Sequence, residues 1–321
     1  MRVLVTGGAG FIGSAYVREL VSGGSPARQS AHVTVLDLLT YAGNRANLAP
    51  VDGRFTFVHG DIGDRTLLER VVPGHDMVVS FAAESHVDRS IAGAADFMRT
   101  NVLGVQKLFD ACLEAGVERV VHVSTDEVYG SIGSGSWDET APLAPNSPYA
   151  ASKAGSDLLA RSYHVTHGLP VVITRCGNNY GPYQHPEKAI PRFVTRLLSG
   201  GTVPLYGDGW NVRDWIHVTD HCHGIQVAAE RGTAGEVYHV AGTHELTNVE
   251  LTDRLLTACG AGWDRVEKVP DRPGHDRRYS LTDKKLRALG YAPRVPFEEG
   301  LRDTVRWYAA NAAWWQRTGP C

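Results

Sequence analysis

A glycine-rich turn near the start of the chain most narrows the folds open to it. Residues 2–6 form a short apolar run typical of a buried parallel strand, and residues 11–20 have a helical pattern. Between them, Gly7, Gly10 and Gly13 form a Gly-x-x-Gly-x-x-Gly turn. Glycines let a backbone turn tightly and approach a pyrophosphate, which then lies at the positive N-terminus of the helix. Because the turn follows a strand and opens a helix, it predicts dinucleotide binding.

An aspartate after the second strand predicts which dinucleotide binds. Residues 32–36 are typical of a strand, and Asp37 follows them. A carboxylate at this distance beyond the glycines accepts hydrogen bonds from an adenosine ribose and repels the extra phosphate of NADP. No arginine in residues 38–41 offsets that repulsion. We therefore expect NAD(H); the alternative is an aspartate that only ends a strand.

Strands and helices alternate through the first half of the chain. Further strands are predicted at residues 54–58, 76–81, 119–123 and 170–174, and helices at 65–72, 97–115 and 148–167. This order predicts an α/β fold with a Rossmann-type, doubly wound parallel sheet. Ligands bind beyond the carboxyl ends of such strands, where the motifs at residues 7–13, 37, 61–62, 82–86 and 125–127 fall. Residues 22–31 and 131–147, rich in Gly, Ser and Pro, are predicted surface insertions.

Two groups of residues carry the candidate chemistry. Tyr149 and Lys153 lie four residues apart, on one face of a predicted helix. A lysine ammonium there stabilises a phenolate, which suits removal of a hydroxyl proton while hydride leaves the same carbon. Thr125, Asp126 and Glu127 add a second set of proton-transfer groups, which predicts that oxidation is only the first step. Taken alone, the pair is typical of a solvated helix face and the carboxylates of an acidic turn; the nucleotide-binding start favours catalysis.

The second half of the chain is predicted to hold the substrate. After residue 174 the sequence loses regular periodicity and becomes rich in polar and aromatic side chains. Lys188, Arg213 and Arg272 in these segments are candidates to converge on a diphosphate, which the planar arginine fork fits well. We predict an NAD-binding domain at residues 1–177, to which 207–247 return, and a smaller substrate-binding domain at 178–206 and 248–321.

Composition argues against several other functions. The 321 residues are 43% hydrophobic and 21% charged, enough for two domains, and the net charge of -3 offers no basic surface for nucleic acid or a membrane. Five scattered cysteines without a Cys-x-x-Cys pair indicate reduced thiols and a cytoplasmic location. The dense group His217, His221, Cys222 and His223 lacks a His-Glu-x-x-His pattern, so we expect no metal.

These motifs together resemble the extended short-chain dehydrogenase/reductases that act on nucleotide sugars, over nearly the whole chain. The glycine turn and Tyr-x-x-x-Lys are shared across that superfamily, whereas residues 82–88, 124–130, 178–182 and 186–188 are more specific. The Asp126-Glu127 pair favours 4,6-dehydration over 4-epimerisation. The resemblance implies dTDP-glucose as substrate, a tightly bound NAD that is regenerated in each turnover, and a homodimer paired through a four-helix bundle of helices 97–115 and 148–167.

The resemblance also implies individual roles. Tyr149 and Lys153, with Thr125, would oxidise the sugar at C4; Glu127 would remove the C5 proton and Asp126 would protonate the leaving C6 hydroxyl. The implied cofactor-binding residues are Gly7, Gly10, Phe11, Ile12, Gly13, Asp37, Leu38, Thr40, Asp61, Ile62, Phe81, Ala82, Ala83, Ser85, Thr100, Tyr149, Lys153 and Asn179. The implied substrate-binding residues are Ser85, Thr125, Asn178, Glu187, Lys188, Ile190, Pro191, Arg192, Pro204, Tyr206, Arg213, Asn248, Arg272 and His275.

Two alternatives and three departures accompany this prediction. A related epimerase or decarboxylase is disfavoured by Asp126 and Glu127. A catalytically silent dinucleotide sensor could keep the glycine turn, but it would need neither Tyr149 and Lys153 nor the two carboxylates. The departures from the family pattern are Gly177 for Ser or Thr, Ala189 for Leu, and Arg192 for an uncharged residue.

Overall fold

A computed structural model describes residues 1–22 and 31–316 of the chain. Its strands are β1 (Arg2–Thr6), β2 (His32–Asp37), β3 (Thr56–His59), β4 (Met77–Ser80), β5 (Arg119–Thr125), β6 (Val171–Cys176), β7 (Asn178–Tyr180), β8 (Val203–Tyr206), β9 (Val212–His217), β10 (Val237–Val240), β11 (His244–Thr247) and β12 (Val266–Val269). Its α-helices are α1 (Phe11–Ser22), α2 (Arg65–Val71), α3 (Val87–Ala92), α4 (Ala95–Phe97), α5 (Val105–Glu114), α6 (Pro148–His167), α7 (Ala189–Leu198), α8 (Val218–Arg231), α9 (Asn248–Cys259), α10 (Lys284–Ala288), α11 (Phe297–Ala310) and α12 (Ala312–Gln316). Single 3₁₀ or π segments occupy Arg45–Val51, Met98–Gly104, Asp126–Tyr129 and Trp263–Arg265.

The α/β prediction is confirmed by a seven-stranded parallel sheet in the order β10-β6-β5-β4-β1-β2-β3. The strands are buried on both faces: Val3, Leu4 and Val5 of β1 have no exposed surface. That is why the sequence shows an apolar run here rather than alternation. Because the strands are parallel, β1 to β5 all end at the same edge of the sheet, and the motif residues follow them there.

Helices cover both faces of this sheet. Val3 and Val5 pack in one core cluster with residues of α1 and α8, whereas Leu4 packs in another with residues of α2, α5 and α6. Successive strand side chains point to opposite faces, which explains the division. Strand β10 joins the edge beyond β6, so the chain returns to the large sheet after leaving it.

The remaining elements build a second body beside the sheet edge. Strands β7, β9 and β11 form a three-stranded sheet, and β8 pairs with β12. Helices α7, α9 and α11 pack around a core that includes Tyr180, Ile190, Val194, Leu255 and Leu301. No helix in the described part of the chain has the length and apolar character needed to span a bilayer.

The predicted helix over residues 97–115 contains a π-helical segment that the sequence did not indicate. Between α4 and α5 the segment Met98–Gly104 is π-helical. Its Asn101 is fully buried and bonds outside the helix, while Gly104 packs against Ile62 so closely that an added Cβ would lie 3.0 Å from its Cγ1. Tertiary contacts therefore widen this turn, and local helical propensity does not reveal them.

One predicted insertion is described in full by the structure, and one predicted strand begins later than expected. Residues 23–30 of the first insertion lie outside the described residues. Residues 131–147 are irregular and mostly exposed, but Trp137 bridges Leu281 and stacks on Tyr129, which fastens the loop to the body. Strand β3 begins two residues later than predicted because the Arg54 amide still donates to the Val51 carbonyl in a turn.

Candidate active site

The glycine turn after β1 is shaped by close backbone contacts. Gly7 has φ +68°, and a Cβ on it would lie 2.5 Å from the Ala82 backbone nitrogen. A Cβ on Gly13 would lie 2.3 Å from the Gly7 carbonyl oxygen. Helix α1 begins at Phe11 directly after the turn, and its first residues line a cavity of about 340 Å³. This N-terminus provides the amides and the dipole that suit a pyrophosphate.

Asp37 at the end of β2 lines the same cavity. Its carboxylate accepts hydrogen bonds from the Ala9 amide at 2.8 Å and from the Leu39 amide at 2.7 Å. Burial raises its pKa, while these two bonds lower it. Asp37 thus stabilises the glycine turn and places a carboxylate where a ribose is expected. Together with the turn, it gives a site that fits a dinucleotide without the extra phosphate.

The two candidate carboxyl groups lie where β5 ends. The Thr125 side chain caps the following 3₁₀ turn by accepting from the Glu127 amide at 3.3 Å, and its hydroxyl donates to Asp126 Oδ1 at 3.2 Å. Asp126 is 3% exposed, and its Oδ2 has no hydrogen-bond partner among the described residues. Glu127 is partly buried and lines both this cavity and a second one.

Burial gives these carboxyl groups unusual proton affinities. It raises the pKa of Asp126 well above the ordinary range, and the nearby carboxyl groups of Glu127 and Asp214 raise it further. Burial also raises the pKa of Glu127, but Arg272, Arg213 and Lys188 oppose that shift. Burial thus favours a neutral Asp126, the state of an acid, while the three cations favour the charged form of Glu127, the state of a base.

Tyr149 and Lys153 lie on the first turns of α6, facing the carboxyl groups. The N-terminus of the helix is stabilised, because the Ser147 side chain caps it by accepting from the Ala150 amide and Pro148 occupies its first turn. Burial raises the pKa of Tyr149 well above its ordinary value, against the expectation of a phenolate, while a hydrogen bond with Thr125 lowers it. The Lys153 ammonium donates to the Val123 carbonyl at 2.8 Å, and burial lowers its pKa to about 8.

The second cavity, of about 240 Å³, opens from the first toward the smaller body. The three expected diphosphate ligands Lys188, Arg213 and Arg272 all line it. Lys188 donates to the Ser85 carbonyl at 2.5 Å, and Arg213 stacks over the Tyr279 ring at 4.3 Å while donating to the Asp276 carbonyl. Arg272 lies 3.5 Å from Asp88. Side chains far apart in sequence thus converge on one concave surface.

The predicted site residues collect around these two cavities with one exception. All the expected cofactor-binding residues line the larger cavity. The expected substrate residues line one cavity or both, except Pro191, which is buried within α7 and lines neither. Ala189 and Arg192 on the same helix do line the smaller cavity, so helical geometry turns Pro191 inward.

Sequence reasoning missed several residues of the site. Asn101 is fully buried in the π-helical segment and exchanges hydrogen bonds with the Glu84 backbone at 2.8 and 2.9 Å. It also donates to Ser152 at 2.8 Å, and so ties the loop after β4 to helix α6. Trp215 lines both cavities, and its Nε1 is buried with no acceptor among the described residues. Neither residue has a local sequence signal, because the burial of Asn101 and the position of Trp215 between the cavities follow from the fold.

The three departures have different structural consequences. A Cβ on Gly177 would lie 2.7 Å from the Asp214 carbonyl oxygen, so the close approach of β9 favours glycine. Ala189 lines the junction of the cavities and leaves room there. The Nε of Arg192 is buried without a hydrogen-bond partner among the described residues, beside the smaller cavity.

The histidine-rich segment is engaged in separate contacts. His217 bonds to Thr219 at 2.8 Å, His221 to Asn179 at 2.9 Å, and His223 to Arg294 at 3.2 Å. In residues 1–22 and 31–316 no three His, Cys, Asp or Glu side chains are grouped to hold a metal ion.

Comparison with known proteins shows a consistent similarity. Residues 4–304 match the family model described as GDP-mannose 4,6 dehydratase. The chain is 58% identical over 319 residues to a dTDP-glucose 4,6-dehydratase of Streptomyces niveus, covering 98% of this chain and 95% of the relative. It is 59% identical to that of an Actinoplanes strain, covering 98% and 100%.

Solved structures agree. The crystal structure of DesIV, a dTDP-glucose 4,6-dehydratase from Streptomyces venezuelae with NAD and TYD bound, has a TM-score of 0.98 at 64% identity, covering 99% of this chain and all of that chain. A UDP-glucose 4-epimerase of Thermus thermophilus in complex with NAD has a TM-score of 0.89 at 35% identity, covering 97% and 100%. The fold is thus common to both chemistries, whereas the identity is far higher to the dehydratase.

Proposed function

The chain belongs to the GDP-mannose 4,6-dehydratase family, and we propose that it is an NAD-dependent enzyme that converts dTDP-glucose to dTDP-4-keto-6-deoxyglucose and water. The observation that carries this proposal is the position of Asp126 and Glu127. Two carboxyl groups whose pKa values burial raises, that of Asp126 well above the ordinary range, lie beside Tyr149 and Lys153, where the two cavities meet. An oxidation alone needs only the tyrosine and lysine, whereas loss of water also needs an acid and a base.

The first step needs a group that removes the proton of the C4 hydroxyl. NAD, when bound, supplies a hydride acceptor for C4, a hydride donor for C6 and, in its oxidised form, a positive charge. Tyr149 is the proposed base, with Thr125 within hydrogen-bonding reach to orient the hydroxyl. The buried Lys153 ammonium favours the phenolate as it forms, which offsets the cost of burying that charge.

The elimination then uses the carboxyl pair. A ketone at C4 acidifies the C5 proton, and Glu127, whose charged form Arg272, Arg213 and Lys188 favour, is the proposed base that removes it. Asp126, kept protonated by burial and its acidic neighbours, is the proposed acid that protonates the leaving C6 hydroxyl. The same carboxyl groups can return a proton to C5 when C6 has been reduced.

We propose that NAD binds on the large sheet and that the substrate binds in the smaller cavity. The glycine turn with Asp37 would hold the pyrophosphate and ribose of NAD on the large sheet. Lys188, Arg213 and Arg272 would hold the diphosphate of dTDP in the smaller cavity, with Pro204 and Tyr206 near the base. In the predicted division, residues 1–177 with 207–247 bind NAD, and 178–206 with 248–321 bind the substrate. Arg213 is an exception, because it lies within 207–247 but belongs to β9 of the smaller sheet and lines the smaller cavity.

A homodimer is proposed on the exposed apolar side chains of two neighbouring helical segments. Leu103, in the segment before α5, is 56% exposed, and Leu158 and Val165 of α6 are 59% and 67% exposed. Leu158 and Val165 are seven residues apart, on one helical face. Pairing of these segments between two copies would form the expected four-helix bundle. We also propose a cytoplasmic location, because Cys112, Cys176 and Cys222 are buried free thiols, which suits a reducing compartment.

The decisive experiment supplies purified protein with dTDP-glucose carrying deuterium at C4, without added cofactor. We expect a 4-keto-6-deoxy product with the deuterium at C6, because hydride leaves and returns within one site. Mass spectrometry and NMR of the product give both the reaction and the position of the label. A 4-epimer as the product, or no turnover by protein shown to contain NAD, would refute the proposed function.

A further inference from the structure

A buried charge cluster lies one helical turn beyond Lys153, outside the lining of either cavity. Asp157 follows Lys153 by four residues on α6, so the two side chains share one helical face. Asp157 is 1% exposed and Lys153 4%. The Asp157 carboxylate accepts from Arg175 Nε of β6 at 2.8 Å. None of the steps described above uses Asp157 or Arg175.

The side chains that contact Asp157 carry no negative charge near neutral pH, whereas at the other end of the cluster the Glu139 carboxylate accepts from the His239 amide at 3.1 Å. On β5, His122 lies 3.6 Å from its carboxylate and 3.0 Å from Ser156, and burial lowers the pKa of His122 well below the ordinary value. Arg175 also donates to the hydroxyl of Tyr129, whose pKa burial raises to about 12. That hydroxyl lies 2.7 Å from His239 of β10, whose pKa burial lowers to about 3. His122, Tyr129 and His239 are therefore uncharged near neutral pH.

Lys153 and Arg175 are thus two buried cations near the Asp157 carboxylate. Arg175 bonds to it, and Lys153 lies one helical turn away on the same face. Lys153 also donates to the Val123 carbonyl, lies near the Cys176 thiol, whose pKa burial raises, and shares one helical face with Tyr149. Burial lowers the pKa of Lys153, and Asp157 is the group that raises it most. A buried ammonium loses its proton when no anion compensates the lost hydration.

We propose that Asp157 is a positioning residue of the active site: it keeps the Lys153 ammonium charged beside Tyr149, and Arg175 competes with Lys153 for its charge. The inference rests on the proposed function for its catalytic consequence, but not for its electrostatics. It predicts opposite effects of removing the two partners. Removal of Asp157 should lower the pKa of Lys153, because a nearby negative charge is lost. Removal of Arg175 should raise it, because a nearby positive charge is lost.

The test follows Lys153 itself. The chain has only six lysines, so NMR of protein labelled at lysine ¹³Cε can follow each one, with Lys153 assigned by Lys153→Arg. We expect Asp157→Asn to lower the midpoint of the Lys153 titration by roughly one pH unit or more, as expected for loss of a nearby opposite charge. Asp157→Glu should restore much of the difference, and Arg175→Gln should shift the midpoint upward.

A matched control is Asp220→Asn, since Asp220 is also a buried carboxylate that accepts two backbone amides, at 2.8 and 3.0 Å, remote from Lys153. It should leave the Lys153 titration unchanged. The alkaline limb of the kcat–pH profile should move with the titration midpoint in each variant.

An unmoved titration in Asp157→Asn, or shifts of the same sign in Asp157→Asn and Arg175→Gln, would overturn the inference. If Asp157→Asn does not fold, the Lys153 titration in Arg175→Gln decides: an upward shift of the midpoint supports the inference, and an unmoved or lowered midpoint overturns it. Absence of dTDP-glucose turnover by the wild-type protein would instead refute the proposed function, and the titration could still be read.

Discussion

Asp126 shows how one residue can be costly for the fold and useful for the reaction. Its carboxyl group is buried, has one oxygen without a partner among the described residues, and lies near Glu127 and Asp214. Each of these disfavours the charged form. The proton that stays on Asp126 is the one that the proposed elimination needs, and the structure holds it there through burial and repulsion rather than through a dedicated hydrogen bond.

Replacing Asp126 by Asn is expected to separate stability from activity. Because folding raises the pKa of Asp126, its proton stabilises the folded state fully at acidic pH, and that contribution is lost as pH rises through the folded-state pKa. The Asp126→Asn protein should therefore gain free energy of unfolding relative to wild type as pH rises. Its kcat should fall by about 10²–10⁴-fold, since an amide cannot donate the proton. Urea unfolding at several pH values and steady-state kinetics measure both effects.

The control is Asp138→Asn. Asp138 is an exposed carboxylate whose pKa is lowered by hydrogen bonds from the Thr140 hydroxyl and amide. Its stabilising effect is present above the unfolded-state pKa and is lost as pH falls, the reverse of Asp126. Turnover should be unchanged in this variant. The acid has been wrongly assigned if Asp126→Asn retains wild-type kcat.

At the scale of elements, the glycine turn joins β1, α1 and the loop after β4 within a few ångströms. A methyl group at Gly13 has no space, since its Cβ would lie 2.3 Å from the Gly7 carbonyl oxygen and 2.9 Å from Gly8 Cα. Backbone rather than flexible side chain must move to admit it.

We therefore expect Gly13→Ala to abolish retention of NAD during purification and to lower the melting temperature. Gly155→Ala is the matched control: it lies inside α6, and its Cβ would lie 3.4 Å from a Val102 methyl, an ordinary contact. That change should be neutral or stabilise by up to about 1 kcal/mol, because alanine is the better helix former. Calorimetry and the absorbance of released nucleotide give the two readouts. Normal NAD content in Gly13→Ala would contradict the proposed cofactor site.

Helix α6 presents a second, apolar face away from the catalytic one. Leu158→Asp should convert a dimer to a monomer, because it places a charge in the centre of the proposed helical interface. Leu198→Asp is the control, since Leu198 is 39% exposed on α7, outside that face. Sedimentation analysis of the three proteins reports the masses. A monomeric wild type, or a Leu158→Asp variant that remains dimeric, would contradict the proposed interface.

The sequence predicted elements well where the signal was local and poorly where it was tertiary. Helix α6 was predicted over its observed range because Ser147, Pro148 and Gly168 mark its ends. The π-helical segment before α5 was missed, since its shape follows from the bonds of Asn101 to Glu84 and Ser152. The site was found through motifs that follow strands. Trp215 and Asp157 carry no motif, and only the fold brings them to the catalytic residues.

At the scale of the whole molecule, contacts join separate segments of the chain beside the larger cavity, which His185 and Glu187 line. The Arg89 guanidinium of α3 lies 3.8 Å above the Tyr41 ring and 3.4 Å from Glu187. His185 meets the edge of the same tyrosine, with ring centroids 5.6 Å apart. Segments from three parts of the chain therefore meet beside the cavity that is proposed to hold the dinucleotide.

Arg89→Ala is expected to speed the exchange of bound NAD. A partly exposed cation–π contact is worth about 0.5–1 kcal/mol and a surface ion pair about 0.2–1 kcal/mol, so their loss should raise the release rate by about three- to thirtyfold. Exchange with isotopically labelled NAD measures this rate. Arg99→Ala, which removes an exposed ion pair with Asp96, is the control and should leave it unchanged. Equal rates in Arg89→Ala and wild type would show that these contacts do not limit release.

Strand β10 is synthesised well after its neighbour β6, which affects folding of the large sheet during translation. Strand β6 ends at Cys176, but its neighbour β10 begins only at Val237. A ribosome adding about 5–20 residues per second therefore leaves one edge of the parallel sheet open for several seconds of each synthesis. Open strand edges can pair with other nascent chains. The arrangement that brings the cofactor and substrate lobes together thus leaves the β6 edge of the nascent chain open to such pairing until β10 has been synthesised.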